Sequence, residues 1–254
     1  METKLNRFVK KILRKDRFRF DFKSDGFAVR NKNLGFIMDE DFNNAYKWSL
    51  EFEFDGQSSP WAAVNLDIRW RSHICIWAVK NALLLDGDLV ECGVDSAVIA
   101  GTIAKYLNFS ELQDRKYFLF DTYSGIPMHP KMSVSEQKNT EFLNENFYFD
   151  SYEFVKSKMS SFRNIEIIRG LLPDTLSAIK SGKISFLSVD LNNTPAEEAV
   201  ISVLWDKLVP GAITVIDDYA FAGHEDQYKM WNNFARKNNR IVATLPTGQG
   251  VLIK

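Results

Sequence analysis

Cysteine is scarce in this sequence: there are two, Cys75 and Cys92, and each lies in an apolar segment. Two such cysteines are typical of reduced, buried thiols, and they argue against a disulfide framework or a metal pair. No apolar run approaches the roughly 20 residues that span a bilayer, and the N-terminus lacks the uninterrupted apolar core of a signal peptide. We therefore expect a soluble, cytoplasmic protein.

A charge excess of one sign is also missing. The chain has 32 Lys and Arg residues against 33 Asp and Glu residues, a formal net charge of -1. Without an overall basic field, we expect no nucleic-acid partner. The 254 residues, 45% of them hydrophobic, are enough to bury a large core.

Basic residues are nevertheless concentrated at the start of the chain. In METKLNRFVKKILRKDRFRF, Leu5, Phe8, Val9, Ile12 and Leu13 recur at helical spacing among lysines and arginines. Such a helix can lie weakly on an anionic membrane surface, form a solvated arm, or join subunits of a homo-oligomer. Residues 20–60 show no sustained period. The sequence therefore predicts a basic arm and irregular lead-in over 1–60 and one domain over 61–254.

A long helix is predicted next, in the stretch WAAVNLDIRWRSHICIWAVKNALLL. Leu66, Trp70, Ile74, Trp77 and Leu84 recur at intervals compatible with one helical face. The helix is expected to end near the Asp86-Gly87 pair, because glycine favours helix termination.

Short apolar runs then alternate with helix-like segments. The runs are DLVECG (88–93), KYFLFD (116–121), IEIIRG (165–170), ISFLSVD (184–190) and AITVIDD (212–218). This alternation predicts a parallel sheet wrapped by helices. The last residues, RIVATLPTGQGVLIK, read as two strands joined by a short turn, so the sheet should close with an antiparallel hairpin. The long connection 122–150 is expected to be a lid or binding loop.

Acidic residues follow the predicted strands at their carboxyl ends, where ligands bind in open α/β sheets. They are Glu91, Asp121, Asp190, and the adjacent pair Asp217 and Asp218. Any one of them can be explained as a helix cap or a solvated side chain. Their convergence on one edge needs a bound cation or a cationic ligand to offset the repulsion.

The first strand–helix turn, VECGVDSAVIAGTIA, indicates which ligand is bound. It lacks the Gly-x-Gly-x-x-Gly pattern of dinucleotide-binding proteins. Gly93 lets a ligand approach the backbone, Glu91 could meet a positive group, and Asp121 could accept hydrogen bonds from ribose hydroxyls. These residues suit a ligand with a ribose and a cationic centre, and S-adenosylmethionine is such a ligand.

The order of these motifs resembles a known family. LVECGV, FLFDTYSGIP, IIRGLLPDTL, FLSVDLN, LVPGAITVIDDY and GHEDQ are similar to class I S-adenosylmethionine-dependent methyltransferases of the macrocin O-methyltransferase type, from about Ile68 to Lys254. The resemblance implies a Rossmann-like, mostly parallel seven-stranded sheet with helices on both faces and a C-terminal antiparallel hairpin. It also implies methyl transfer to a sugar hydroxyl, on a nucleotide-linked sugar, a surface-glycan precursor or a glycosylated metabolite.

The resemblance also implies roles for individual residues. Glu91 and Gly93 would line the methionine end of the cofactor and Asp121 its ribose, with Thr122 and Gly170 as further cofactor contacts in the matching segments. A magnesium site is implied at Asp190, Asp217 and Asp218.

Two departures from the family pattern are visible. Val94-Asp95-Ser96-Ala97 replaces further glycines, and Asp190-Leu191-Asn192 replaces an Asp-x-Asp. Asparagine offers magnesium a neutral oxygen, a weaker ligand than carboxylate.

The acceptor hydroxyl must lose a proton during methyl transfer. Three histidines occur in the chain. His224 follows the acidic strand end and ranks first as the base, and His129 in the long connection ranks second. Asp190 or Asp218 is a carboxylate alternative, while His73 reads as an ordinary helix residue. Two other functions stay open: a catalytically silent binding or scaffold protein, and a nicotinamide-dependent oxidoreductase.

Overall fold

The computed structural model describes residues 21–51 and 66–254. The basic arm and its predicted amphipathic helix lie outside the described residues. Among the helices that are described, none has the length and apolar character needed to cross a bilayer.

Residues 21–51 are more regular than the sequence predicts. Strands β1 (Phe22–Ser24) and β2 (Phe27–Val29) form an antiparallel hairpin. Helices α1 (Gly35–Met38) and α2 (Glu40–Leu50) follow. The expectation of an irregular segment is wrong for these residues. The elements are short, and α2 buries a mixed set that gives little periodic signal: Phe42, Ala45, Tyr46 and Ser49.

Helix α3 spans Arg69–Ala82, so it ends before the predicted Asp86-Gly87 boundary. The predicted apolar face is also wrong, since Trp77 is 45% exposed and Leu84 83% exposed. The buried positions are instead Arg71, Ser72, Cys75, Ile76, Ala78, Val79 and Ala82. The large side chains dominate the periodic pattern, whereas mostly smaller ones pack inward, and Arg71 is carried into the interior with them.

Seven strands form one mixed sheet in the order β5-β4-β3-β6-β7-β9-β8. The strands are β3 (Asp88–Cys92), β4 (Tyr117–Asp121), β5 (Ile165–Arg169), β6 (Ile184–Val189), β7 (Leu208–Ile216), β8 (Ala243–Thr244) and β9 (Gly250–Ile253). Strands β3 to β7 are parallel, whereas β9 runs antiparallel to both β7 and β8. The predicted parallel sheet with a closing antiparallel hairpin is confirmed.

Helix α4 (Val98–Tyr106) follows β3 and packs against α2. The Ser49 and Thr102 hydroxyls hydrogen-bond across this contact at 2.8 Å. The predicted long loop 122–150 is in part helical, because Ser133 and Glu136 form a capping box that starts α5 (Val134–Asn146). Helix α6 (Tyr152–Met159) comes next.

Helices cover both faces of the sheet, as the alternation of its side chains requires. Leu89 of β3 belongs to one buried core, with α3 and α4, and Val90 belongs to the other. The second core includes α7 (Thr194–Leu204) and α8 (Glu225–Lys237). Cys75 and Cys92 are buried and free, as predicted.

The carboxyl ends of the parallel strands meet at one edge of the sheet. Gly93 N donates to Phe120 O at 2.9 Å, and Asp190 N donates to Cys92 O at 2.8 Å. The chain leaves β3 toward β4 on one side and β6 lies on the other, so a topological switch point falls between β3 and β6. Ligands bind at such points in open α/β sheets.

Candidate active site

A cavity of about 1120 Å³ opens at this switch point. Its walls come from the strand ends, the segment 122–129, α5 and α2. The sequence-predicted site residues all line it: Glu91, Gly93, Asp121, Thr122, His129, Gly170, Asp190, Asp217, Asp218 and His224. The structure therefore brings these residues to one place, while their individual roles stay predictions.

Gly93 is the point of closest approach between the two central strands. Its φ is +90°, and a Cβ built there would lie 1.7 Å from the carbonyl oxygen of Asp190. No other residue type fits, because the clash is with backbone. The glycine therefore keeps the turn after β3 open to a ligand, with β6 directly behind it.

Glu91 lies just before this turn and is 3% exposed. The Tyr117 hydroxyl donates a hydrogen bond to its carboxylate. Burial nevertheless raises the pKa of Glu91 to about 8. A cationic group in the cavity would favour the ionised form of this carboxylate.

Asp121 is the last residue of β4, and its carboxylate accepts hydrogen bonds from backbone amides of the neighbouring turns. One carboxylate oxygen accepts from the amides of Val94 (2.5 Å) and Asp95 (2.8 Å), and the other accepts from the amide of Tyr123 (2.7 Å). A carboxylate offers about four lone-pair sites, so little capacity is left for ribose hydroxyls. Asp95, which the sequence marks only as a departure, also lines the cavity. Burial, with the charge of Asp121, raises the pKa of Asp95 to about 6.

The acidic cluster includes a positively charged side chain, the guanidinium of Arg71. Oxygen atoms of Asp190, Asp217 and Asp218 lie within 4.8 Å of one another. Arg71 Nη1 donates to Asp217 and, at 3.2 Å, to Asp218. Its Nε and Nη2 donate to the two oxygens of Asp25 at 2.7 and 2.9 Å. The guanidinium therefore bridges three carboxylates and offsets part of their repulsion.

Burial raises the pKa of Asp190 well above its usual range, and the charges of Asp217 and Asp218 raise it further. Burial also raises the pKa of Asp218. Arg71 acts in the opposite direction on both carboxyl groups. One guanidinium therefore does not offset the combined effect of burial and carboxylate repulsion on Asp190 and Asp218.

Two other side chains donate hydrogen bonds to carboxylate oxygens of the cluster. Gln249 Nε2 donates to Asp217 Oδ1 at 2.9 Å, so both oxygens of Asp217 are engaged. Asn192 Nδ2 donates to Asp190 Oδ1 at 3.0 Å. Among the described residues, Asp190 Oδ2 and Asp218 Oδ2 have no hydrogen-bond partner.

His224 lies at the N-cap of α8, with its Nδ1 2.5 Å from Gln227 Oε1. Gln227 Nε2 in turn donates to Glu197 Oε1 at 2.7 Å. His129 accepts a hydrogen bond at Nδ1 from the Lys131 amide, 3.1 Å away.

His73, by contrast, stacks on Phe36 with 4.1 Å between ring centroids, as expected of a helix residue.

Sequence reasoning missed the polar residues that support the site: Asp25, Arg71, Glu197, Gln227 and Gln249. One signal was available, because Arg71 shares its helical face with Cys75 and Val79. A charged residue at an otherwise apolar helix position is a candidate for a buried ion pair. Gln227 ends the GHEDQ motif, but the sequence gave it no role, and Asp25, Glu197 and Gln249 gave no periodic or motif signal.

The seven-stranded sheet with its closing antiparallel strands is the Rossmann-like fold found in class I methyltransferases. Solved structures with this fold include the O-methyltransferase NovP (TM-score 0.64, 18% identity, 72% of this chain and 79% of NovP covered). Another is the calicheamicin methyltransferase CalS11 (TM-score 0.63, 14% identity, 84% and 91% covered). A third is PaMTH1 of Podospora anserina bound to S-adenosylhomocysteine (TM-score 0.54, 12% identity, 85% and 88% covered).

The sequence narrows this class to a family. Residues 71–247, more than half of the chain, match the model of the macrocin O-methyltransferase (TylF) family. The chain belongs to this family and is an S-adenosylmethionine-dependent O-methyltransferase, as its sequence motifs predict. No curated protein sequence matches it. The family performs methyl transfer, so the nicotinamide-dependent alternative is set aside.

Proposed function

We propose that this chain transfers a methyl group from S-adenosylmethionine to a hydroxyl of a sugar carried on a nucleotide, a glycan precursor or a glycosylated metabolite. The observation that carries the proposal is the cavity, which joins a buried carboxylate and glycine turn on one side to an acidic cluster with a histidine on the other. Family membership supports the reaction type. CalS11, whose structure is similar, is a TDP-rhamnose 3'-O-methyltransferase. This similarity favours a sugar as the acceptor here.

The cofactor would lie across the turn after β3. Glu91 would pair with its cationic methionine end, since a buried carboxyl with a raised pKa gains most from a positive partner. The remaining acceptor capacity of Asp121, together with Asp95, would bind the ribose. Thr122 and Gly170 line the cavity beside them.

The acceptor hydroxyl would lie near the ends of β6 and β7. Methyl transfer is an in-line displacement, so the chain must orient the hydroxyl and remove its proton. We propose that His224, which lines the cavity near Asp218, is the base that removes the proton of the hydroxyl. His129 is the second candidate, and Asp190 and Asp218 are the carboxylate candidates.

Magnesium fits this site with two carboxylate ligands instead of the three that the sequence predicts. Asp217 is committed to Arg71 and Gln249, so Asp190 and Asp218 are the residues that would hold the ion. Magnesium commonly uses one or two carboxylates and keeps several waters. The chemistry it supplies is a lowered pKa of the acceptor hydroxyl.

The test is direct. Calorimetric titration with S-adenosylhomocysteine is expected to show saturable binding, and a screen of nucleotide-sugars with S-adenosylmethionine should find a methylated product. His224→Ala should lower turnover by about 10²–10⁴-fold with unchanged cofactor affinity. His129→Ala is the matched control. Absence of cofactor binding would exclude the proposed function and favour a silent scaffold, whereas an inactive His129→Ala beside an active His224→Ala would move the base to His129.

A further inference from the structure

His224 is connected to a buried hydrogen-bond chain that ends at Glu197. The carboxylate of Glu197, on α7, is 1% exposed and Gln227, on α8, is 2% exposed. Glu197 Oε2 accepts from Trp231 Nε1 at 2.7 Å. Glu197 Oε1 accepts from Gln227 Nε2 at 2.7 Å and from the Leu191 amide at 3.4 Å. Each of these three hydrogen-bond partners of the carboxylate is a donor.

The direction of the chain follows from what each atom can do. An ionised carboxylate only accepts hydrogen bonds, and an amide NH₂ only donates them. Gln227 must therefore turn its NH₂ toward Glu197, which leaves its carbonyl oxygen facing His224. That oxygen only accepts, so the hydrogen in the 2.5 Å contact belongs to His224 Nδ1.

We infer that Glu197, acting through Gln227, holds neutral His224 with its hydrogen on Nδ1, which leaves the Nε2 lone pair to take the proton of the acceptor hydroxyl. This inference rests on the proposed function. Nε2 has no hydrogen-bond partner among the described residues, and His224 lines the cavity. Gln227 and Glu197 are positioning residues, because they act on the histidine and not on the substrate.

The proton and the electrons balance in this assignment. The acceptor oxygen forms its bond to the methyl carbon as the carbon–sulfur bond breaks, and that electron pair goes to sulfur. The proton of the hydroxyl goes to Nε2, which gives an imidazolium. Asp218 at the end of β7 and Glu225 on α8 are acidic groups that interact electrostatically with His224.

The tautomer can be measured without an activity assay. Protein labelled with ¹⁵N-histidine gives ring nitrogen signals that distinguish a protonated from an unprotonated nitrogen. Three histidines are present, so single His→Ala variants assign them. Burial raises the pKa of Glu197 to about 7, so spectra are taken at pH 8 to keep the carboxylate ionised. We expect His224 to carry its hydrogen on Nδ1.

Gln227→Leu should remove the acceptor at Nδ1 and move the hydrogen toward Nε2. It should also lower kcat by roughly tenfold or more, up to the about 10²–10⁴-fold that a general base contributes, with the affinity for S-adenosylhomocysteine unchanged. Asn232→Leu is the control, because this amide on the same helix donates to Tyr219 Oη and to the Tyr228 carbonyl. It should leave the His224 signals and turnover as they are.

A wild-type His224 with its hydrogen on Nε2 would overturn the inference, and so would full turnover by His224→Ala. The wild-type spectrum decides the tautomer even if Gln227→Leu fails to fold. Failure of the wild type to bind S-adenosylhomocysteine would instead count against the proposed function, since the spectrum does not depend on the cofactor.

Discussion

Replacing Arg71 by Met is expected to destabilise the protein strongly. The substitution keeps the apolar stem of the side chain and removes the guanidinium that bridges Asp25, Asp217 and Asp218. The Arg71 side chain is 10% exposed, and the three carboxylate side chains are 3%, 8% and 18% exposed. Water therefore cannot take the place of the lost donors.

The magnitude follows from this burial. Removing one partner of a buried ion pair costs about 3–5 kcal/mol, because the other charge is left uncompensated. Asp217 would keep its hydrogen bond from Gln249, whereas both oxygens of Asp25 would lose their Arg71 partner. A loss of about 3–5 kcal/mol is a large share of the ~5–15 kcal/mol stability typical of proteins.

Urea unfolding followed by tryptophan fluorescence measures the effect. Arg69→Met is the matched control on the same helix, because Arg69 pairs with Asp67 where the side chains are 27% and 30% exposed. Its loss should cost less than about 1 kcal/mol. Arg71→Lys should fall between the two, since an ammonium lacks the planar fork. Equal, small losses for Arg71→Met and Arg69→Met would refute the assignment of Arg71 as an internal counter-ion.

Four further outcomes are expected. Asp121→Asn puts an amide where the carboxylate accepts from backbone N–H groups, so calorimetry should show affinity for S-adenosylhomocysteine falling roughly ten- to a hundredfold. Burial raises the pKa of Glu91 above that of the unfolded chain, so its neutral form stabilises the fold at low pH. This contribution is lost as pH rises toward about 8, by up to about 1.4 kcal/mol per pH unit, and Glu91→Gln should flatten the dependence of unfolding free energy on pH. Chelation with EDTA should lower turnover and Asp190→Asn should abolish the rescue by magnesium; full activity after exhaustive chelation would exclude the metal. Deleting residues 1–18 should leave the melting temperature unchanged and reduce binding to anionic liposomes, and a large fall in melting temperature would show that these residues belong to the core.

The sheet was predictable because its signals are local. Each parallel strand is a short apolar run, and the register places the residue after each run at the same edge. That is why Gly93, Asp121, Asp190 and Asp217 could be assigned to one cavity from the sequence. The closing hairpin was equally visible, because too few residues separate its strands for a helix.

The interior of the site was not predictable, because it depends on contacts between distant residues. The face of α3 was misassigned since Trp77 outweighed the smaller residues, and Arg71 was lost with it. Nothing local marks Asp25 or Gln249 as partners of a residue 46 or 32 positions away. Asp121 lines the cavity, but its engagement with the turn after β3 is a tertiary contact that sequence spacing does not encode.

Gln249, in the turn of the closing hairpin, has a consequence for how the site is completed. A chain is synthesised from its N-terminus, so Arg71 exists long before Asp217, and Asp217 before the glutamine that fixes it. The contacts of the acidic cluster therefore cannot be completed before the turn that carries Gln249 has been synthesised. Substitutions that displace β9 or the turn before it should therefore alter the acidic side of the cavity as well as the edge of the sheet.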